Sequence, residues 1–141
     1  MKMKINLSML IVLMLLGVTE YGYAQENEFA AVARTVNYYL EGGTNNDFST
    51  LKLAFSEDAM MMYMKDNQYT SVNALEFFGA GMKPGPKQDR ETRIISINVT
   101  GNAANARLEI EYPTFTFIDY MNLLKIDGQW KIVNKIFYKK G

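Results

Sequence analysis

Histidine and cysteine are both absent from the 141 residues. The chain therefore has no imidazole base, no thiolate and no Ser-His-Asp arrangement, and it lacks the commonest zinc ligands. Acid–base chemistry falls to carboxylates, lysines and tyrosines. Asp119 stands out among them. In an extended chain it shares a face with Phe115, Phe117, Met121 and Leu123. A carboxylate on an apolar face loses solvation, and its pKa rises toward the range useful for proton transfer. The competing expectation is an acid at a strand bend, bonded to backbone or to a lysine at a rim, since acids are mostly paired or exposed. Ile118, Tyr120, Leu124 and Ile126 form an apolar series on the opposite face, which leaves the direction of Asp119 open.

Two further groups could meet a ligand. Met60, Met61, Met62 and Met64 crowd one short run; flexible thioethers line adaptable pockets, and they also fill cores. Met60, Met62 and Met64 share a face, so at most three can line one cavity. On the last segment, alternation sets Trp130, Ile132, Asn134, Ile136 and Tyr138 against Lys131, Val133, Lys135, Phe137 and Lys139. Trp130 is expected as a large core residue with its N–H satisfied. Asn134 among isoleucines is expected as a buried amide, partnered by a side chain or a ligand.

Other chemistries lack their residues. Glu57-Asp58 has no third oxygen donor at calcium-binding spacing. Gly79, Gly81 and Gly85 match no phosphate-binding loop. No cofactor and no metal are expected. Without Lys2, Lys4 and Glu20 the segment from Gln25 carries 13 basic and 14 acidic residues, a net charge of −1. That balance argues against a nucleic-acid partner.

The amino terminus has the order of an export signal. Lys2 and Lys4 precede the apolar run Leu7–Val18, and Gly22-Tyr23-Ala24 supplies small residues at the cleavage positions. The run is shorter than the ~20 residues of a membrane span. The expectation is a signal peptide over 1–24, cleaved after Ala24, and one exported domain over 25–141, periplasmic or secreted, with no stable membrane insertion after cleavage.

Three helices precede a run of strands in this domain. Helical spacing predicts a helix over Phe29–Leu40, ended by Gly42-Gly43. Asp47 caps a second over Phe48–Phe55, broken by Ser56-Glu57-Asp58. Ala59–Met64 reads as a strand that turns at Asp66-Asn67 into Gln68–Thr70. Ser71 caps a third helix, Val72–Gly79, with Leu75, Phe77 and Phe78 as its bulk. Gly81–Gln88, rich in proline and glycine, is a loop. Strands follow over Glu91–Thr100 (Ile95, Ile97 and Val99 on one face), Ala104–Tyr112, Thr114–Ile126 and Gln129–Lys139. Asp127-Gly128 is the strongest hairpin signal. Helices on one face of a curved antiparallel sheet make an α+β fold.

Four blocks carry a family resemblance: Tyr38-Tyr39-Leu40-Glu41-Gly42, Ala54–Ala59, Ile97–Ala104 and Asp119–Lys135. They resemble the nuclear transport factor 2-like superfamily, with its ketosteroid isomerases and SnoaL-like cyclases, and more narrowly the subgroup named putative lumazine-binding. The subgroup commonly has a His-Pro pair where this chain has Ser56-Glu57. The resemblance implies a cone-shaped sheet wrapped by three helices, a cavity between them, and a homodimer through the outer sheet face. Tyr38, Met60, Met62, Tyr63, Phe77, Phe117, Asp119, Trp130 and Asn134 are the expected pocket residues. Three functions follow. The favoured one is an exported, non-enzymatic binding module for a small apolar or aromatic molecule. The second is an isomerase or dehydratase with Asp119 as acid/base and Tyr63 or Tyr38 as hydrogen-bond donor. The third is a structural, dimerising domain with a filled cavity.

Overall fold

The computed structural model describes residues 27–141. The expected export signal and its cleavage point lie outside them. Helix α1 runs through residues 27–44, beyond the expected stop at Leu40. Gly42 and Gly43 are buried inside it rather than ending it. A Cβ on Gly42 would collide with the backbone of Leu51, and one on Gly43 with the guanidinium of Arg90. The left-handed residue at the helix end is instead Asn46, at φ 54°. The Asp47 N–H closes back onto Gly42 O at 2.8 Å, so asparagine takes the position glycine usually fills.

Asp47 then caps α2 (Phe48–Leu51), its carboxylate accepting from the Thr50 N–H at 3.1 Å and the Thr50 hydroxyl at 2.6 Å. These bonds and that of Ser49 hold the Asp47 carboxyl down at about 2. A 3-10 turn, Lys52–Ala54, follows. Strand β1 begins at Phe55 and runs to Lys65, so Ser56, Glu57 and Asp58 are strand rather than helix breaker. The turn Asp66-Asn67, with φ of 50° and 62°, leads into β2 (Gln68–Asn73). Asn73, not Ser71, caps α3 (Ala74–Gly81) by accepting from the Glu76 N–H at 3.0 Å.

The remaining strands are β3 (Glu91–Thr100), β4 (Ala103–Tyr112), β5 (Phe115–Ile126) and β6 (Gln129–Lys140). All six form one sheet in the order β2-β1-β6-β5-β4-β3, with β1 and β6 parallel and every other pair antiparallel. The fold is α+β, a curved six-stranded sheet with three helices. Val32 and Val36 of α1 pack with Leu108, Met121, Leu123 and Ile132 of the sheet as fully buried core.

Two bulges change which residues face inward. In β3 the register breaks between Ile94 and Ser96, which turns Ile95 outward, 42 % exposed, and leaves Ile94 opposite the buried Leu108. In β6, Asn122 pairs with Asn134 while Leu123 pairs with Ile132, so Val133 is an extra residue. A bulge of this kind reverses the alternation beyond it. Trp130 and Ile132 point to the core before it, and Lys135 and Phe137 point inward after it. Asn134, Ile136 and Tyr138 therefore lie on the outer face, contrary to their expected grouping with Trp130.

Candidate functional site

A cavity of about 220 Å³ lies between sheet and helices. β4 contributes Ile110 and Tyr112, β5 Phe117, and β6 Lys135 and Phe137. α1 contributes Tyr39, α3 Phe77 and Phe78, and the loop after α3 adds Gln88 and Arg90. The aromatic walls hold one another: Phe117 meets Phe137 edge-on at 5.4 Å and Tyr112 at 6.2 Å.

Asp119 and Lys135 form the deep polar cluster. Asp119 is completely buried, and Lys135 is 4 % exposed. Lys135 Nζ lies 2.6 Å from Asp119 Oδ1, a buried ion pair. The Tyr39 hydroxyl donates to Oδ2 at 2.8 Å. The ammonium also lies 4.5 Å from the Phe137 ring centre and 5.4 Å from that of Tyr39. Burial holds Lys135 below the ordinary lysine range, with the Asp119 charge pulling the other way. Burial, reinforced by the Asp119 charge, pushes the Tyr39 phenol well above its ordinary value. Tyr39 is thus a fixed donor, and Asp119 stands behind the two groups that reach the cavity.

A second cluster centres on Arg90. Its Nε donates to Thr44 Oγ1 at 2.8 Å, Nη1 to the Tyr112 hydroxyl at 2.9 Å, and Nη2 to Leu40 O at 3.0 Å. Tyr112 in turn donates to Gln88 Oε1 at 2.8 Å, and Gln88 Nε2 donates to Gly43 O at 2.7 Å. This network ties the loop to the carboxyl end of α1, where a cation also complements the helix dipole. Tyr112 is four residues from Leu108, the partner of Asp119. That offset is about 13 Å of backbone at an ordinary strand rise, yet the Arg90 charge still acts on Lys135 and Tyr39, favouring loss of a proton from each.

The expected pocket residues divide. Phe77 and Phe117 line the cavity, and Asp119 lies directly behind its wall. Tyr63 stacks on Phe137 at 4.8 Å without lining the cavity. Tyr38 and Trp130 face a separate groove beside α1, where the Trp130 N–H donates to Glu28 at 2.7 Å. Met60 and Met62 pair with Asn134 and Ile136 on the outer face; Met61 is the methionine of this strand that lines the cavity. Asn134 accepts from Asn122 at 2.9 Å, and Asn105 donates to Asn122 at 2.9 Å, so its partners form an outer-face ladder rather than a ligand site. The donor to Asp119 is Tyr39, not Tyr63 or Tyr38. Tyr39 follows Val32 and Val36 at helical spacing, a signal that was present. Lys135 had no such signal, because the bulge at Val133 carries it inward. The cavity is open rather than filled by its own side chains.

Residues 27–138 match the family model described as putative lumazine-binding. The chain belongs to the putative lumazine-binding family. Its fold is that of the nuclear transport factor 2-like superfamily. A member of that fold from Shewanella baltica, of unknown function, is 30 % identical with a TM-score of 0.73, over 82 % of this chain and 95 % of that one. Another, from Methylobacillus flagellatus, is 26 % identical with a TM-score of 0.72, over 82 % of this chain and 94 % of that one. The aldolase FrzH of a Cladobotryum species is 26 % identical over 114 residues, 79 % of this chain and 91 % of that protein. No group of three or more metal-ligating side chains occurs among the described residues. No helix among them is long and apolar enough to cross a membrane.

Proposed function

We infer that this member of the family is an exported binding module that holds a small, largely apolar or aromatic molecule in the cavity without converting it. The open cavity of about 220 Å³ walled by Phe77, Phe78, Phe117 and Phe137 carries this reading. Its size lies below the roughly 300–1,000 Å³ of drug-sized sites, which favours a small ligand. The binding role is favoured over catalysis because Asp119 is completely buried and stands behind Lys135 and Tyr39. A thermal-shift and native mass-spectrometry screen against mono- and bicyclic aromatics tests it. A saturable complex that raises the melting temperature supports the reading, and no complex with any compound contradicts it. Detection of Gln25 as the first residue of exported protein tests the secretory route.

The isomerase or dehydratase reading keeps one observation in its favour, a desolvated lysine facing an apolar cavity, alongside the 26 % identity to a protein named as an aldolase. In that reading Asp119 acts through Lys135 and Tyr39 as a positioning residue. Turnover of a bound ligand that disappears in Asp119→Asn while binding persists would establish it.

The outer face supports a homodimer. Met64, Ile136 and Tyr138 are 64 %, 49 % and 65 % exposed on one side of the sheet, and exposed apolar residues gathered on one face are a feature of protein–protein contact sites. Sedimentation should give a dimer that Ile136→Lys converts to monomer.

A further inference from the structure

We propose that the occupant of the cavity carries one negative charge, as a small aromatic or planar apolar carboxylate does, and that Arg90 is the residue that selects for it. This rests on the reading of the cavity as a ligand site and names the ligand's chemistry.

The charges around the cavity do not cancel. Among the described residues lining the cavity, the charged side chains are Lys135 and Arg90. Lys135 is matched by Asp119 at 2.6 Å. Arg90 has no such match: its partners are a threonine hydroxyl, a tyrosine hydroxyl and a backbone carbonyl, all neutral. Asp89, Glu91 and Glu111 lie with Arg90 on the surface side of Tyr112, outside the cavity lining, and none is within ion-pair distance of Arg90; Glu91, Glu109 and Glu111 lie within that distance of Arg93, at 3.8, 3.4 and 2.7 Å. The cavity walls and the buried acid behind them therefore carry a formal excess of one positive charge. A guanidinium has five N–H groups, and three are used, which leaves one on each Nη without an acceptor among the described residues. These unused donors leave the guanidinium able to bond a carboxylate as well as its present partners.

The position of Arg90 is also built rather than incidental. Gly43 leaves room for its guanidinium inside the last turn of α1, where a side chain would collide with it. Tyr112 is held between Arg90 and Gln88, so the guanidinium plane is fixed before any ligand arrives. The apolar walls beside it lower the effective dielectric and strengthen a charge pair formed there. A neutral ligand of the same shape would leave the guanidinium without a counter-charge; an anion supplies it.

The test compares two ligands of nearly equal shape, 2-naphthoate and 2-naphthamide, by calorimetric titration of the full chain at neutral pH. Naphthoate should bind at least tenfold more tightly, and Arg90→Gln should abolish the difference by weakening naphthoate and leaving naphthamide little changed. Arg90→Lys, which keeps the charge and loses the guanidinium's unused donors, should retain part of the preference. Equal binding of the two ligands by the unmodified chain, or tighter naphthamide, overturns the anion assignment and leaves the cavity reading standing. A preference that survives in Arg90→Gln overturns the role of Arg90. Binding of neither ligand, with no compound found in the aromatic screen, overturns the cavity reading and the proposal together.

Discussion

Deep in the cavity, Asp119 and Lys135 sit 2.6 Å apart with almost no exposure, whereas toward Tyr112 the half-buried Arg90 meets only neutral acceptors. The first cluster balances its own charge and supports the wall. The second is held in place from three sides and keeps donors in reserve. One region is thus a structural ion pair that a ligand touches only through Lys135 and Tyr39, and the other is the part of the wall with charge to offer.

The largest effect should come from splitting the deep pair. Breaking a buried ion pair by removing one partner typically costs about 3–5 kcal/mol. Urea unfolding should show losses of that order for Asp119→Asn and Lys135→Met singly. The double variant Asp119→Leu with Lys135→Met should recover most of the loss, because an apolar replacement removes both desolvated charges. If the double variant were as damaged as the singles, the pair would be doing more than balancing itself.

Tyr39→Phe should cost less, about 1–3 kcal/mol, the usual penalty for leaving one buried acceptor unmet. Its expected signature is lost stability with little change in the naphthoate preference. Gly43→Ala addresses the other cluster. The added methyl displaces the Arg90 guanidinium, so the preference for an anion should fall several-fold while the Asp119–Lys135 pair is untouched.

The smallest effect lies outside both clusters and calibrates them. Asp47 has a carboxyl lowered from 3.8 to about 2 by its capping bonds. A lowered folded-state value means that its contribution is fully present above about pH 4 and is lost as pH falls toward 2. Asp47→Asn should flatten that part of the stability profile without altering ligand selectivity.

The difference between the clusters also explains what the sequence could disclose. β4 alternates without interruption, so its inner residues Ala104, Ala106, Leu108 and Ile110 are buried as their spacing implies. The turn residues Asp66-Asn67 and Asp127-Gly128 take the positive φ values that mark their hairpins. β6 could not be read in the same way. Nothing in Ile132-Val133-Asn134 announces an extra residue, yet the bulge there moves Lys135 from the expected solvent face to the cavity and Asn134 out of it. Arg90 was hidden for a different reason. It lies beyond a proline- and glycine-rich loop, and only the close approach at Gly43 brings it to α1. Local pattern reveals regular elements, while this site depends on one bulge and one helix–loop contact.

The most direct test of the account is a chemical-shift titration of the isotopically labelled chain with 2-naphthoate. Saturable shifts should centre on Tyr112, Phe117, Phe137 and the Arg90 side chain, with Trp130 and Tyr138 unmoved. Shifts confined to Trp130 or to the outer-face residues Ile136 and Tyr138, or no saturable shifts at all, would contradict it.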